Sequence, residues 1–456
     1  MGKMTAIDPA TEEVIESFAT LDEGGIEEAL AIAPRAAAGW AARPLAERIE
    51  LLRAVARRLR EETETLAAHA TAEMGKPLAE SRAEVEKCAW ACDHYAEHGE
   101  ELMAPRPHPS SGSRAYVAFR PLGTIFAIMP WNYPYWQVFR CAAPALLAGN
   151  GVLLKHASNV PRCAIEIEGV LRRAGLPEGV FQTLLVGGAE AERIVADPRV
   201  SAVSLTGSEH AGAKVAAAAG REIKRTLLEL GGSDPFIVLR DADVAAAAKI
   251  AVKARFQNAG QSCIAAKRFL VEAPVLEEFT EAFGAELAGI RVGDPRDPET
   301  KMGPLARRDL RDGVRDQLKR ALSGGARVVA RGEGDDRERG YFMSPVIVRD
   351  DDPRSPLRRE EVFGPVAPIV SVASADEAIA IANETIYGLG ASVWTQDIAR
   401  AEKIAGCIVS GQVFINGMVA SDPRLPFGGV KHSGYGRELS ELGLRELVNE
   451  QTVWIA

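Results

Sequence analysis

Between residues 124 and 239 the sequence alternates short apolar runs with segments of helical periodicity, and this pattern limits the fold more than any other feature. The runs lie at 124–129, 152–154, 180–186, 200–205, 226–230 and 236–239. Strand-like runs that alternate with helices are typical of βαβ units, whose parallel sheet is buried on both faces. The sequence therefore predicts a doubly wound α/β core, and ligands bind such sheets beyond the carboxyl ends of the strands.

Polar residues stand where several of these runs end. Asn132 follows the first run, Lys155 the second and Thr206 with Ser208 the fourth, while Glu229 lies near the end of the fifth. Each also has a structural alternative, as a helix cap, a surface cation or a solvated carboxylate. Their coincidence at the ligand edge of the predicted sheet favours a functional site.

A Gly-x-x-x-x-Gly turn from Gly207 to Gly212 opens the helix after the fourth run. It differs from the Gly-x-Gly-x-x-Gly sequence of ordinary dinucleotide-binding folds. A helix amino end with small residues can still face a pyrophosphate through its amides and dipole. We expect phosphate binding here only if other features support it.

The segment 258–267 places a single cysteine, Cys263, among small and polar residues. It follows a helical run at 243–257 and precedes an apolar run at 268–271. A nucleophilic thiolate needs a lowered pKa and open access, and Gly260 and Ser262 leave room for backbone amides near a reacting oxygen. The alternative is a small buried thiol, since free cysteine is among the most buried residue types.

Composition excludes several classes of protein. The 456 residues carry a net charge of −9 without a long basic or acidic block, which argues against nucleic-acid or membrane-surface partners. No stretch approaches the ~20 apolar residues of a membrane span, and the first residues lack the apolar centre of a secretory signal. We therefore expect a cytoplasmic protein.

The six cysteines form no disulfide ladder and no paired Cys-x-x-Cys pattern. Cys88 and Cys92 lie four residues apart on a predicted helix, so they could share a metal. No second pair accompanies them, whereas structural zinc normally takes four ligands. The sequence predicts packed thiols there and no metal site.

Three motifs together carry a resemblance to a known family: Leu228-Glu-Leu-Gly-Gly232, Gly260-Gln-Ser-Cys263 and Glu361-Val-Phe-Gly-Pro365. With Pro130-Trp-Asn132 and Lys155, they make the chain resemble the aldehyde dehydrogenase superfamily from about Ile7 to the C-terminus. Within that superfamily, segments 133–140, 155–156, 231–235 and 422–427 are similar to the bacterial succinate-semialdehyde dehydrogenase branch.

The resemblance implies a Rossmann-type cofactor domain, an α/β catalytic domain and a β arm. We expect the cofactor domain at 1–108 and 124–229, the catalytic domain at 230–420, and the arm at 109–123 and 437–456. A strand with an exposed edge tends to pair with another chain. The arm therefore predicts a homodimer or a homotetramer.

The chemistry of aldehyde oxidation assigns roles to three residues. A thiolate adds to the carbonyl, and collapse of the thiohemiacetal expels hydride, so Cys263 is the predicted nucleophile. The resemblance implies that the Asn132 amide and the Cys263 backbone N–H stabilise the oxyanion. Glu229 is the predicted general base for hydrolysis of the thioester. Its presence favours hydrolysis over transfer to coenzyme A, because acylating members of the family typically lack this carboxylate.

The resemblance also implies NAD or NADP as cofactor. Lys155 would contact the adenosine ribose, Ser208 a phosphate and Glu361 the nicotinamide ribose, with Phe363 beside the ring. Three residues after Lys155, where many members carry a glutamate that repels a 2′-phosphate, this chain has Ser158. We therefore predict that NADP is used well and is preferred. The other expected cofactor contacts come from Trp131, Gly207, Gly212 and Leu230.

The predicted substrate is a short aldehyde with a distal carboxylate, with succinate semialdehyde as the first candidate. Trp136 and Arg140 follow Asn132 at steps of four, which stay on one helix face. An arginine there can bind a carboxylate through charge-assisted bonds, although it could instead pair with a surface acid. Ser421 and Arg424 form a second candidate contact.

Three other readings of the sequence stay open. The first is a broad-specificity enzyme for neutral aliphatic or aromatic aldehydes, which would be indifferent to a substrate carboxylate. The second is a cysteine hydrolase or thioesterase that uses Cys263 and Glu229 without a nucleotide. The third is a non-catalytic binding protein on the same fold.

Overall fold

The computed structural model describes residues 2–334, 337 and 339–456. Its amino-terminal part is a two-stranded antiparallel sheet followed by four helices and two strands. These elements are β1 (Lys3–Ile7), β2 (Val14–Ala19), α1 (Glu23–Ala41), α2 (Leu45–Glu61), α3 (Thr63–Met74), α4 (Leu78–Met103), β3 (Arg106–Pro107) and β4 (Arg114–Pro121). The helices contribute to the largest apolar core, which they share with the first parallel sheet.

The predicted alternation forms a parallel sheet with connecting helices. It comprises β5 (Thr124–Met129), α5 (Trp136–Ala148), β6 (Gly151–His156), α6 (Pro161–Arg173), β7 (Phe181–Thr183), α7 (Gly188–Ala196), β8 (Ala202–Thr206), α8 (Glu209–Arg221) and β9 (Arg225–Glu229). The spatial order β9-β8-β5-β6-β7 is parallel throughout. The carboxyl ends of these strands therefore meet at one edge, which confirms the predicted α/β fold class.

A second parallel sheet follows the first. The apolar run at 236–239 belongs to this second sheet, whereas the sequence pattern grouped it with the first. Its elements are β10 (Asp234–Val238), α9 (Val244–Phe256), β11 (Ala266–Glu272), α10 (Leu276–Leu287), α11 (Arg308–Ser323), β12 (Arg327–Arg331), β13 (Val346–Arg349), α12 (Pro356–Arg359), β14 (Val366–Val372), α13 (Ala375–Asn383), β15 (Gly390–Trp394), α14 (Ile398–Ala405) and β16 (Gln412–Ile415). The order is β12-β13-β14-β11-β10-β15-β16, with only β12 antiparallel among these strands.

Both faces of this second sheet are covered. Phe236 packs with α9 and α10, whereas its neighbour Ile237 packs with α13 and α14. Successive side chains of a strand point to opposite faces, so the continuous apolar run is explained by burial on both sides.

The carboxyl-terminal segment contains β17 (Gly434–Tyr435), α15 (Ser440–Arg445) and β18 (Val448–Ile455). The short strand β17 pairs antiparallel with β9, and β18 pairs along its whole length with β4. With β3 these strands form a three-stranded sheet in which β18 is an edge that exposes Trp454 and Ile455. The domain boundaries and the oligomerisation role of this arm stay predictions.

Among the described helices, none combines the length and the apolar character that a membrane crossing requires.

Candidate active site

The cysteine at 263 lies on a sharply turned segment between α9 and β11. Asn258 and Ala259 both have φ of 54°, and Gly260 has φ of 73°. Only glycine adopts this left-handed region at little cost, and a Cβ on Gly260 would come within 2.5 Å of the Gly364 carbonyl oxygen. The turn places Cys263 just before strand β11 of the second sheet. Cys263 is partly exposed there.

Amide hydrogen bonds tie this turn to the end of β5. Asn258 Nδ2 donates to the carbonyl oxygens of Asn132 (2.8 Å) and Gln261 (3.2 Å), and Asn132 Nδ2 donates to Gln261 (3.1 Å). The second N–H of Asn132 Nδ2 is left to donate elsewhere, and in the described part of the chain the Cys263 backbone N–H has no acceptor. These two donors are therefore available for an oxyanion, and their role in stabilising one stays a prediction.

Accessibility separates Cys263 from the other thiols. Cys88, Cys92, Cys141 and Cys163 are buried, and Cys407 is exposed. Within the described ranges, no group of three or more His, Cys, Asp or Glu side chains is arranged to hold a metal. Cys88 and Cys92 lie in the apolar core of α4, and burial raises the pKa of both thiols.

Burial is the largest influence on the pKa of the predicted nucleophile. Burial raises the pKa of the Cys263 thiol to about 12. The charges of Arg140 and Lys267 act in the opposite direction, whereas Glu229 and Glu361 add to the increase. The resting residue is therefore a thiol, with two cations and two carboxylates close enough to influence it.

Glu229, the last residue of β9, is buried beside this thiol. In the described structure neither of its carboxylate oxygens has a hydrogen-bond partner. Burial raises the pKa of Glu229 well above its usual value, and the nearby Glu438 raises it further. A Cβ on Gly428 would lie 2.7 Å from Glu229 Oε1. The absence of a side chain at Gly428 therefore leaves room for the Glu229 carboxylate. A buried carboxylate without partners is suited to accept a proton.

Arg140 forms a buried ion pair that the sequence analysis missed. Its Nε lies 2.7 Å from Glu438 Oε2, and both side chains are 2% exposed. The Arg140 Cζ also lies 4.5 Å from the ring centroid of Phe427. The alternative of an arginine paired with an acid is thus realised, but in the interior and not at the surface. The predicted role of Arg140 as a carboxylate clamp is weakened, because Glu438 already offsets its charge.

A signal for Glu438 was present in the sequence. It lies two residues beyond segment 425–436, whose four glycines allow the backbone a tight excursion over a ligand. Burial raises the pKa of Glu438, and the charge of Arg140 opposes that increase.

Replacing Arg140 by methionine should destabilise the protein, because it leaves Glu438 buried without the cation that pairs with it. Breaking a buried pair typically costs about 3–5 kcal/mol, so we expect the thermal unfolding midpoint to fall by several degrees. The double variant Arg140→Met/Glu438→Met should recover most of that loss.

Arg320→Met is the matched control, since its pair with Glu360 is exposed and exposed pairs contribute about 0–1 kcal/mol. A double variant less stable than Arg140→Met alone would show that the pair is not the cause.

The predicted nicotinamide-side residues lie around the same turn. Glu361 Oε1 accepts hydrogen bonds from Lys267 Nζ (2.7 Å) and from the Gly232 N–H (3.0 Å). Lys267 Nζ also donates to the Cys263 carbonyl oxygen at 2.8 Å, which ties Glu361 to the nucleophile. Lys267 was missed, although it lies four residues after Cys263.

Two aromatic rings stand next to this group. The rings of Phe363 and Trp131 meet edge to face, with centroids 5.8 Å apart. Both residues are only partly buried, so their surfaces are available to a planar ligand. Their contact with a nicotinamide ring stays a prediction.

At the carboxyl edge of the first sheet, Lys155 ends near the turn that contains Ser158. Burial lowers the pKa of Lys155, and no carboxylate within the described residues pairs with it. Ser158 is exposed in the turn after β6. An unpaired, largely buried cation beside an exposed hydroxyl fits an anionic group such as a ribose phosphate.

The residues predicted to contact a phosphate lie at the start of α8. Ser208 caps the helix by accepting from the Ala211 N–H at 3.3 Å. A Cβ on Gly207 would meet nothing closer than 3.7 Å, so open space lies beside this turn, whereas one on Gly212 would lie 2.6 Å from Leu230 Cδ2. Gly212 thus permits close packing of the helix, and the residues present fit a dinucleotide phosphate.

Of the predicted substrate contacts, Trp136 and Ser421 come together and Arg424 is differently engaged. Trp136 Nε1 donates to Ser421 Oγ at 3.1 Å. Arg424 is exposed, and its guanidinium donates to both carboxylate oxygens of Asp422 at 2.9 and 2.6 Å. Its predicted role in binding a substrate carboxylate is therefore not supported by this arrangement.

Comparison with known proteins agrees with this geometry. Residues 2–453 match the aldehyde dehydrogenase family. Succinate-semialdehyde dehydrogenase (NADP(+)) 1 of Mycobacterium tuberculosis is 50% identical over 456 residues, covering 99% of this chain and 100% of the relative. A probable succinate-semialdehyde dehydrogenase (NADP(+)) of Synechocystis sp. is 47% identical over 453 residues, covering 99% and 100% respectively.

A solved structure extends the likeness to three dimensions. The crystal structure of succinic semialdehyde dehydrogenase from Streptococcus pyogenes in complex with NADP+ has a TM-score of 0.97 to this chain, at 39% identity and 99% coverage of each. The fold class predicted from the motifs is thereby confirmed. The chain belongs to the aldehyde dehydrogenase family.

Proposed function

We propose that this protein oxidises succinate semialdehyde to succinate with NADP as the preferred cofactor. The observation that carries the proposal is the partly exposed Cys263 beside a buried Glu229 whose oxygens have no hydrogen-bond partner in the described structure. The names of the relatives support the substrate and the cofactor.

Catalysis begins when Cys263 sulfur bonds to the aldehyde carbon. The thiol proton leaves to solvent as the bond forms, since Cys263 is partly exposed. The charges of Arg140 and Lys267 favour the thiolate. The negative charge that develops on the aldehyde oxygen is stabilised by the free N–H of the Asn132 amide and by the Cys263 backbone N–H.

A bound nicotinamide would supply the hydride acceptor for the conversion of the thiohemiacetal to the thioester. Glu361, Phe363 and Trp131 would hold it, with Lys155 and Ser208 on the adenosine and phosphate groups. Glu229 then takes a proton from the water that attacks the thioester, and the Cys263 sulfur leaves. A raised pKa makes the ionised Glu229 a stronger base than an exposed glutamate.

Introducing a glutamate at Ser158 should reverse the cofactor preference. A carboxylate near Lys155 would repel a 2′-phosphate and accept a hydrogen bond from a 2′-hydroxyl. We expect the ratio of kcat/KM with NADP to that with NAD to fall about 100-fold in Ser158→Glu, equivalent to about 2.7 kcal/mol.

Initial rates of reduced cofactor formation measure this ratio. The exposed Ser323, at the end of α11, gives the matched control Ser323→Glu, whose ratio should equal that of the wild type. An unchanged ratio in Ser158→Glu, or a wild type that prefers NAD by roughly tenfold or more, would refute the assignment.

The substrate proposal is tested with the wild-type enzyme. Initial rates are compared for succinate semialdehyde, butanal and benzaldehyde, each with NADP and with NAD. The hydrogen-bonded side chains of Trp136 and Ser421 suit a polar end group of the substrate. We therefore expect kcat/KM for succinate semialdehyde to exceed that for butanal by at least about tenfold. Equal values would favour a broad-specificity aldehyde dehydrogenase.

The arm supports a proposed oligomeric state. The edge strand β18 exposes Trp454 and Ile455, which supports pairing with a second copy of the chain in a homodimer or homotetramer. A cytoplasmic location, which the composition favours, is part of the same proposal.

A further inference from the structure

Lys87, on α4, lies against the predicted substrate contacts although the sequence analysis assigned it no role. Its Nζ donates to Ser421 Oγ at 2.8 Å. The same Nζ lies 4.5 Å from the ring centroid of Trp136, whose indole N–H donates to the same hydroxyl. Because Ser421 Oγ accepts from both groups, its own proton is left to donate to a third partner.

No carboxylate neutralises Lys87 among the residues that the structure describes. The nearby Asp422 is held by two hydrogen bonds from Arg424. Glu84, one turn earlier on α4, pairs with Lys76 and accepts two backbone N–H groups at the start of α5. Both acids that could offset the charge are therefore engaged elsewhere.

Lys87 is nevertheless largely removed from water. Burial lowers the pKa of Lys87 to about 8, and the charge of Arg140 lowers it further, while Cys88, Asp422 and Glu84 act in the opposite direction. A cation without an ion-pair partner in such surroundings is costly. An anion that binds beside it recovers part of that cost.

We propose that Lys87 and the Ser421 hydroxyl bind the carboxylate of the substrate. The inference rests on the proposed function and names the cation that distinguishes succinate semialdehyde from a neutral aldehyde. Arg140 is less suited to that role alone, because Glu438 offsets its charge at 2.7 Å. Lys87 has no such partner in the part of the chain that the structure describes, and its contact with Ser421 and Trp136 orients the ammonium group.

The test compares Lys87→Met with the wild type, using succinate semialdehyde and butanal with NADP. We expect the ratio of kcat/KM for succinate semialdehyde to that for butanal to fall at least about tenfold, mainly through KM for succinate semialdehyde. Lys87→Arg should keep more of the ratio than Lys87→Met does. The exposed Lys249 on α9 provides the matched control Lys249→Met, which should keep the wild-type ratio.

The pH profile supplies a second readout that a merely structural role would not change. Lys87 loses its charge as the pH rises through about 8, so KM for succinate semialdehyde should rise above that pH relative to KM for butanal. In Lys87→Arg this relative rise should disappear, because arginine stays charged.

The outcomes separate this inference from the proposed function. A wild type without preference for succinate semialdehyde refutes the proposed substrate. A wild type that prefers it, with an unchanged ratio in folded Lys87→Met, overturns only the role of Lys87. Folding is judged by NADP binding and the thermal midpoint, and Lys87→Gln takes the place of Lys87→Met if the latter is unstable.

Binding of succinate gives a test that needs no turnover. Succinate should raise the thermal unfolding midpoint less in Lys87→Met than in the wild type. An equal rise in both proteins would contradict the inference.

Discussion

Replacing Cys263 by alanine is expected to lower kcat about 10⁴- to 10⁶-fold, since every step from the aldehyde to the acid passes through a bond to its sulfur. Binding of NADP should persist, because the contacts expected for the cofactor come from other residues. The residual rate of NADPH formation and a fluorescence titration with NADPH measure the two effects.

The chain contains its own control for this experiment. Cys407 is the exposed cysteine, so Cys407→Ala removes the most accessible thiol and should leave the rate near that of the wild type. A Cys263→Ala variant that keeps more than roughly a hundredth of the wild-type kcat would show that the thiol is not the nucleophile.

Replacing Glu229 by glutamine should separate the two halves of the reaction. Glutamine keeps the shape of the side chain but cannot accept a proton, so hydrolysis slows about 10²- to 10⁴-fold. Acylation should continue, because loss of the Glu229 charge removes one cause of the raised Cys263 pKa. Rapid mixing with succinate semialdehyde and NADP should give a burst of about one NADPH per subunit before a slow steady rate.

Glu73→Gln controls for the loss of a buried carboxylate. Glu73 is buried and accepts the Arg162 and Cys163 backbone N–H groups at the start of α6, so its replacement should give no such burst followed by a slow phase. A Glu229→Gln enzyme that turns over at the wild-type rate, or that shows no burst, would remove Glu229 from the hydrolytic step.

The sequence was sufficient for those parts of the site that follow from chain direction. Asn132, Lys155 and Glu229 stand at the ends of apolar runs, and parallel strands bring such positions to one edge whatever the helices between them contain. The segment around Cys263 likewise placed that thiol at a junction between a helix and a strand, although the local pattern left a buried thiol as the alternative. Local pattern and topology agree at these residues, so each could be found before the structure.

Other features depend on partners that are distant in sequence. The helical spacing placed Trp136 and Arg140 on one face but could not reveal that Glu438, from the far end of the chain, pairs with Arg140. Lys87 reaches Ser421 from α4, where the sequence analysis considered only the thiols Cys88 and Cys92. The raised pKa of Cys263 also requires knowledge of burial, because a motif indicates neighbouring residue types but not how much water they exclude.

The most direct test of the account is the mass of Glu229→Gln protein quenched in acid after mixing with succinate semialdehyde and NADP. The mechanism predicts an increase of about 100 Da, the succinyl group of a thioester, in the peptide that contains Cys263. The increase should be absent when NADP is omitted. A modified enzyme with the added mass on another residue, or an enzyme that forms NADPH without added mass, would contradict a Cys263 thioester that Glu229 hydrolyses.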